Sequence, residues 1–219
     1  MKNKGKIENV PGIASTPLNI LAGIIDIRGY DSYMSRVSTT RKNFLTFIHN
    51  LTLYFSTFKF KNTGTYFFKP MGDGCLIIRP LDKTPVRLAP VFTSEFLTDL
   101  YFLSDKIDSF IKTMGPSRPE GVLTRVAYGH AVRVESIDRY VEYFGKPIDL
   151  CHRLLSVGRS FKYICHDAVK QIIEKDDASN VGFRVLSGSA VKKSKKTRGH
   201  LPDGLTPDDL KNLCSFYPR

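Results

Sequence analysis

Two aspartates, Asp26 and Asp73, are the side chains of this sequence whose placement most suggests chemistry. Asp26 ends the apolar run Leu18–Asp26 (LNILAGIID), and Asp73 sits in Gly72-Asp73-Gly74 between two β-rich runs, TYFFK at 65–69 and CLIIR at 75–79. Taken singly, each is an ordinary strand-end or turn residue, since Asp-Gly is a common turn pair. If the hairpin pairs beside the strand ending at Asp26, the two carboxylates converge at one end of a sheet. Two hard carboxylate ligands suit Mg²⁺ or Mn²⁺, which keep waters and take further ligands from substrate phosphates. Two such ions can activate an attacking hydroxyl and neutralise a leaving pyrophosphate.

The elements that must position this pair follow from periodicity. Residues 18–26 have the length and continuous apolar character of a buried central strand. Phe44, Phe47, Ile48, Leu51 and Phe55 recur at helical spacing, predicting a helix over about 32–57. The runs on either side of Gly-Asp-Gly predict a β-hairpin. Residues 80–92, with three prolines, read as a loop; 92–114 reads as a helix stopped by Pro116. Residues 121–134 predict a strand, 147–158 a short helix, 163–165 a strand, 167–175 a helix and 183–186 a strand. The mixture predicts an α+β fold. Residues 1–17 read as a loose arm, 18–186 as one catalytic domain, and 187–219 as a basic loop and C-terminal extension.

The 219 residues suffice for one domain with a proper core. No apolar run approaches the ~20 residues of a membrane-spanning helix. The basic start lacks the apolar segment of a secretory signal, and four widely spaced cysteines without a CxxC pair argue against zinc. These features lead us to expect a cytoplasmic protein. The formal net charge of +12 suits a polyanionic partner, and part of the excess lies in the run from Lys192 to Arg198. An aromatic platform with interleaved Arg or Lys is not evident, so no nucleic-acid partner is expected.

Four segments, in order, resemble the class III nucleotide cyclases, the family of adenylate and guanylate cyclases. Asp26-Ile-Arg-Gly-Tyr30 resembles the family's first metal motif, and Lys69-Pro-Met-Gly-Asp73-Gly74 its hairpin motif. Arg125–Val132 resembles the strand Arg-x-Gly-Ile-x-x-Gly-x-Val, and the segment from Tyr143 to Leu154 resembles Phe-Gly-x-x-Val-Asn-x-x-x-Arg. The resemblance covers about residues 20–170. It implies a ferredoxin-like βαββαβ core with flanking helices, and two Mg²⁺ or Mn²⁺ ions held by Asp26, Ile27 and Asp73. It also implies a head-to-tail homodimer with active sites at its interface.

By position, Lys69 and Glu142 match the family's base-selecting residues, and Arg153 matches the arginine that stabilises phosphate charge. Lys192 and Lys193 are further candidates for the phosphates. Asp149 stands where the family usually has a transition-state Asn. An amide donates a hydrogen bond, whereas an ionised carboxylate only accepts. Lys69 donates and Glu142 accepts; adenine, cytosine and uracil each offer a matching acceptor beside a donor. A small cyclase domain without an attached sensor resembles the Pycsar-type pyrimidine cyclases of bacterial antiphage defence. That resemblance implies UTP as substrate and cyclic UMP as product. Cytidylate or adenylate cyclase, or an inactive nucleotide-binding module, are the alternatives.

Overall fold

The computed structural model describes residues 13–37, 41–61, 64–82, 84–115, 118–138, 140–157, 160–174, 180–186 and 212–218. Its centre is a long strand, β1 (Ile13–Arg28), followed by helices α1 (Tyr30–Val37) and α2 (Arg41–Lys61). The hairpin β2 (Phe67–Met71) and β3 (Gly74–Pro80) comes next, then a 3-10 turn at Val86–Leu88 and α3 (Ala89–Lys112). The chain continues through β4 (Gly121–Ser136), β5 (Val141–Gly145), α4 (Lys146–Leu155) and β6 (Tyr163–His166). It ends with α5 (Asp167–Ile173), β7 (Val181–Val185) and β8 (Leu213–Pro218).

The strands form one sheet in the order β2-β3-β1-β4-β6-β8-β7, with β5 paired to β4 beside β6. The first four strands, with α1/α2 and α3 as crossovers, make the expected ferredoxin-like core. Residues of β1 alternate between two apolar layers, as the period of a strand requires. Leu21, Ile25 and Ile27 pack with Phe47, Leu51, Phe55 and Phe58 of α2 and with the buried stripe of α3 from Phe96 to Ile111. Leu18, Ile20, Ala22 and Ile24 face the other way, against Ile148, Leu150, Cys151 and Leu154 of α4. A sheet buried on both faces explains why 18–26 is continuously apolar.

Several boundaries move. Residues 13–17, read as part of an arm, are the first positions of β1 and pair with Arg133–Ser136 and Val132 of β4. Their partners on β4 supply the ladder that composition alone could not anticipate. The single helix expected over 32–57 is two helices. Strand β5 occupies residues read only as part of a motif, and β8, from the expected C-terminal extension, pairs with both β6 and β7. The C-terminal strand is therefore integral to the sheet. All four cysteines are free and buried. No described helix is long and apolar enough to cross a membrane.

Candidate active site

The hairpin places the two aspartates at neighbouring backbone positions of adjacent strands. Asp26 of β1 is the Cα partner of Gly74 of β3, and Asp73 immediately precedes Gly74. Two features of the turn make this possible. Gly72 has φ of +64°, a conformation that costs other residues energy. At Gly74 a Cβ would stand 2.3 Å from the Ile25 carbonyl oxygen, so only glycine lets β3 approach β1 this closely. Asp26 and Asp73 are both half-buried, within reach of solvent. The ladder between β1 and β3 stops at Asp26. Ile27 has its side chain in the core, 1% exposed, so it can serve a metal only through its main chain.

The electrostatics suit a cation. Burial raises the Asp73 carboxyl above the ordinary aspartate range; a backbone hydrogen bond works against this, and Asp31 adds to it. The Tyr30 phenol is raised by burial, then by Asp73 and Asp31. Tyr30, Asp31 and Asp73 thus share a region of negative potential at the end of the sheet. A hard divalent ion would relieve that repulsion. Asp31, on the first turn of α1, escaped the sequence reading, although it lies five residues after Asp26. Among the described residues no group of three His, Cys, Asp or Glu forms a metal cage. Asp26 and Asp73 fit a site completed by water and substrate oxygens.

Lys69 and Glu142 come together within the chain, in a short ion pair between β2 and β5. The Glu142 side chain is 11% exposed and that of Lys69 43%. Glu142 also accepts from the Tyr140 hydroxyl at 2.9 Å and from the Tyr143 amide at 3.2 Å. Burial pushes the Glu142 carboxyl up, but the bonds from Lys69, the Tyr143 amide and Tyr140 outweigh it and leave the group below the ordinary glutamate range. Phe67 and Tyr143 pack beside this pair with ring centroids 5.0 Å apart.

Helix α4 carries Asp149 and Arg153 on its exposed side, one turn apart, while Ile148, Leu150, Cys151 and Leu154 face the sheet. Burial lowers the His152 pKa and Asp149 acts in the opposite direction. The end of α4 is anchored by Arg125 of β4, which is fully buried and donates to the carbonyls of Leu154, Val157, Phe161, Lys162 and Thr124 at 2.8–3.2 Å. Burial lowers the Arg125 pKa, and the charge of Asp26 partly restores it. The sequence offered Arg125 only as the first residue of a strand motif. Lys192 and Lys193 lie outside the described residues.

A separate cavity of about 450 Å³ lies on the helical face, lined by Tyr66, Arg79, Glu95 and Asp99 among others. Its polar groups satisfy one another: Tyr66 donates to Asp99 at 2.8 Å, and Arg79 bonds Glu95 and the Phe92 carbonyl at 3.0 Å. It is apart from the aspartate pair, which we take as the candidate centre.

No protein-family model and no curated protein matches the chain by sequence. Solved structures do. The adenylyl cyclase CyaB from P. aeruginosa has a TM-score of 0.63 at 13% identity, covering 94% of this chain and 97% of that one. The catalytic core of a rhodopsin-guanylyl cyclase with converted specificity, in complex with ATPalphaS, gives 0.55 at 13% identity, covering 93% and 97%. The guanylyl cyclase Cya2 gives 0.51 at 16% identity, covering 94% and 93%. The chain therefore has the fold of class III nucleotide cyclase catalytic domains.

Proposed function

We propose that the protein is a nucleotide cyclase that converts UTP to 3′,5′-cyclic UMP and pyrophosphate. The observation that carries this reading is the register of Asp26 on Gly74, which sets Asp73 beside Asp26 in a cyclase fold. Asp26, the Ile27 main chain and Asp73 would hold two Mg²⁺ or Mn²⁺ ions. When bound, such ions lower the proton affinity of the ribose 3′-hydroxyl and neutralise phosphate charge. The 3′-hydroxyl oxygen attacks the α-phosphorus in line, its proton passes to solvent and the bond to pyrophosphate breaks. Arg153 presents a planar fork of donors to the phosphate oxygens, and Lys192 and Lys193 add positive charge there. Two copies assemble head to tail, so that the aspartates of one protomer meet the base-reading and α4 residues of its partner. The enzyme is cytoplasmic, and its product serves as a second messenger in antiphage defence.

Lys69 donates to uracil O4 and Glu142 accepts from N3–H. The same edge exists, with other atoms, on other bases, so hydrogen bonding alone does not select uracil. The preference for a single-ring base is supported by Phe67 and Tyr143, whose packed rings occupy space beside the Lys69–Glu142 pair. The test is incubation with each of the four ribonucleoside triphosphates and Mn²⁺, with the product identified by mass. Cyclic UMP from UTP is expected. Product from CTP or ATP alone rejects the base assignment, and nucleotide binding without pyrophosphate release rejects catalysis.

A further inference from the structure

We infer that Tyr140 is a positioning residue for base recognition, holding the Glu142 carboxylate in place beside Lys69. This rests on the reading of Lys69 and Glu142 as the base-selecting pair. The two bond each other, and both keep capacity for a base, since an ammonium has three N–H donors and a carboxylate about four lone-pair sites. Lys69 is the more exposed partner, its side chain 43% exposed against 11% for Glu142. Two further donors fix the carboxylate, the Tyr140 hydroxyl on Oε2 and the Tyr143 amide on Oε1.

Tyr140 itself is 61% exposed, so burial does little to hold its ring. Its bond to Glu142 is what orders it. The remaining charged neighbours do not replace it. Val134 of β4 is the Cα partner of Glu142, and the flanking Arg133 and Glu135 bond each other at 2.6 Å. Lys69 from β2 is the one cation acting on Glu142 among its principal neighbours. The Tyr140 hydroxyl therefore helps fix how the Glu142 carboxylate faces the base, and without it the carboxylate loses one of the three donors that orient it.

The variant is Tyr140→Phe, measured in the full chain beside Glu142→Gln. In the nucleotide-free protein, the carboxyl carbon of Glu142 followed by NMR should titrate about half to one pH unit higher in Tyr140→Phe, as loss of a hydrogen bond to a charged group requires. With UTP and Mn²⁺, KM should rise roughly threefold to tenfold while kcat stays within about twofold, the signature of lost binding. An unchanged titration midpoint overturns the inference. So does an unchanged KM in Tyr140→Phe when Glu142→Gln raises it. Unchanged KM in both variants overturns the base-reading role of Glu142 itself, and the inference with it.

Discussion

Asp26 and Gly74 face each other across β1 and β3, at a separation that only the absence of a side chain on Gly74 permits. The proposed metal site therefore depends on a residue with no functional group. In Gly74→Ala the new methyl meets the Ile25 carbonyl at 2.3 Å, and the hairpin must shift away from β1. The expected cost is about 1–3 kcal/mol of stability, as for other overpacked sites. Cyclic nucleotide formation should fall further than the folded fraction does. Chemical denaturation followed by an assay on the folded protein separates the two effects.

Asp73 sets stability against function. Burial and the charge of Asp31 hold its carboxyl above its unfolded value. A raised carboxyl pKa contributes stability that is full below the unfolded pKa and lost as the pH rises through the folded pKa. At neutral pH the ionised group is therefore a liability in the metal-free protein. Asp73→Asn should raise the melting temperature in EDTA at pH 7, with the gain shrinking as the pH falls toward 4. The same variant should lose roughly two orders of magnitude or more in turnover. Mn²⁺ should raise the melting temperature of the parent protein and not of the variant. A variant that melts lower in EDTA would contradict the electrostatic account.

How much of this was legible beforehand differs by residue. The run 18–26 announced β1 because a strand covered on both faces needs apolar residues at every position. Its first five residues did not, because Ser15, Thr16 and Pro17 are exposed and are held by main-chain pairing to β4. Strand β8 was invisible for a related reason: its partners, β6 and β7, are distant in sequence and pairing has no local signature. In the site, Asp73 and Asp26 carried motif signals. The close approach that joins them lies in the missing Cβ of Gly74. Tyr140 had one usable signal, since residues i and i+2 of an extended segment share a face and Glu142 follows at that spacing.

Arg125 joins the strand beside Asp26 to the end of the helix that carries Arg153. Its guanidinium supplies donors to five carbonyls. Arg125→Met fills much of the volume but removes the guanidinium donor from all five, although the Leu154 and Lys162 carbonyls keep backbone donors from Val157 and Thr124. The expected loss is roughly 3 kcal/mol or more. Arg125→Lys, with three donors instead of five, should recover part of it. Equal denaturation midpoints for Arg125→Met and the parent protein would show that other groups hold α4.

Asp149 offers the sharpest test of the proposed contact between α4 and the substrate. It is exposed in the first turn of the helix, one turn before Arg153. Facing a triphosphate, an ionised carboxylate repels and can donate no hydrogen bond, whereas an amide of nearly the same shape does donate. Asp149→Asn should therefore raise kcat/KM, by about tenfold if one donor to the transition state is gained. The gain should be larger at low ionic strength, where charge repulsion is least screened. Arg153→Ala made in the same background should abolish it. An unchanged kcat/KM across pH and salt would mean that Asp149 points away from the phosphates, leaving Arg153 as the α4 residue that contacts them.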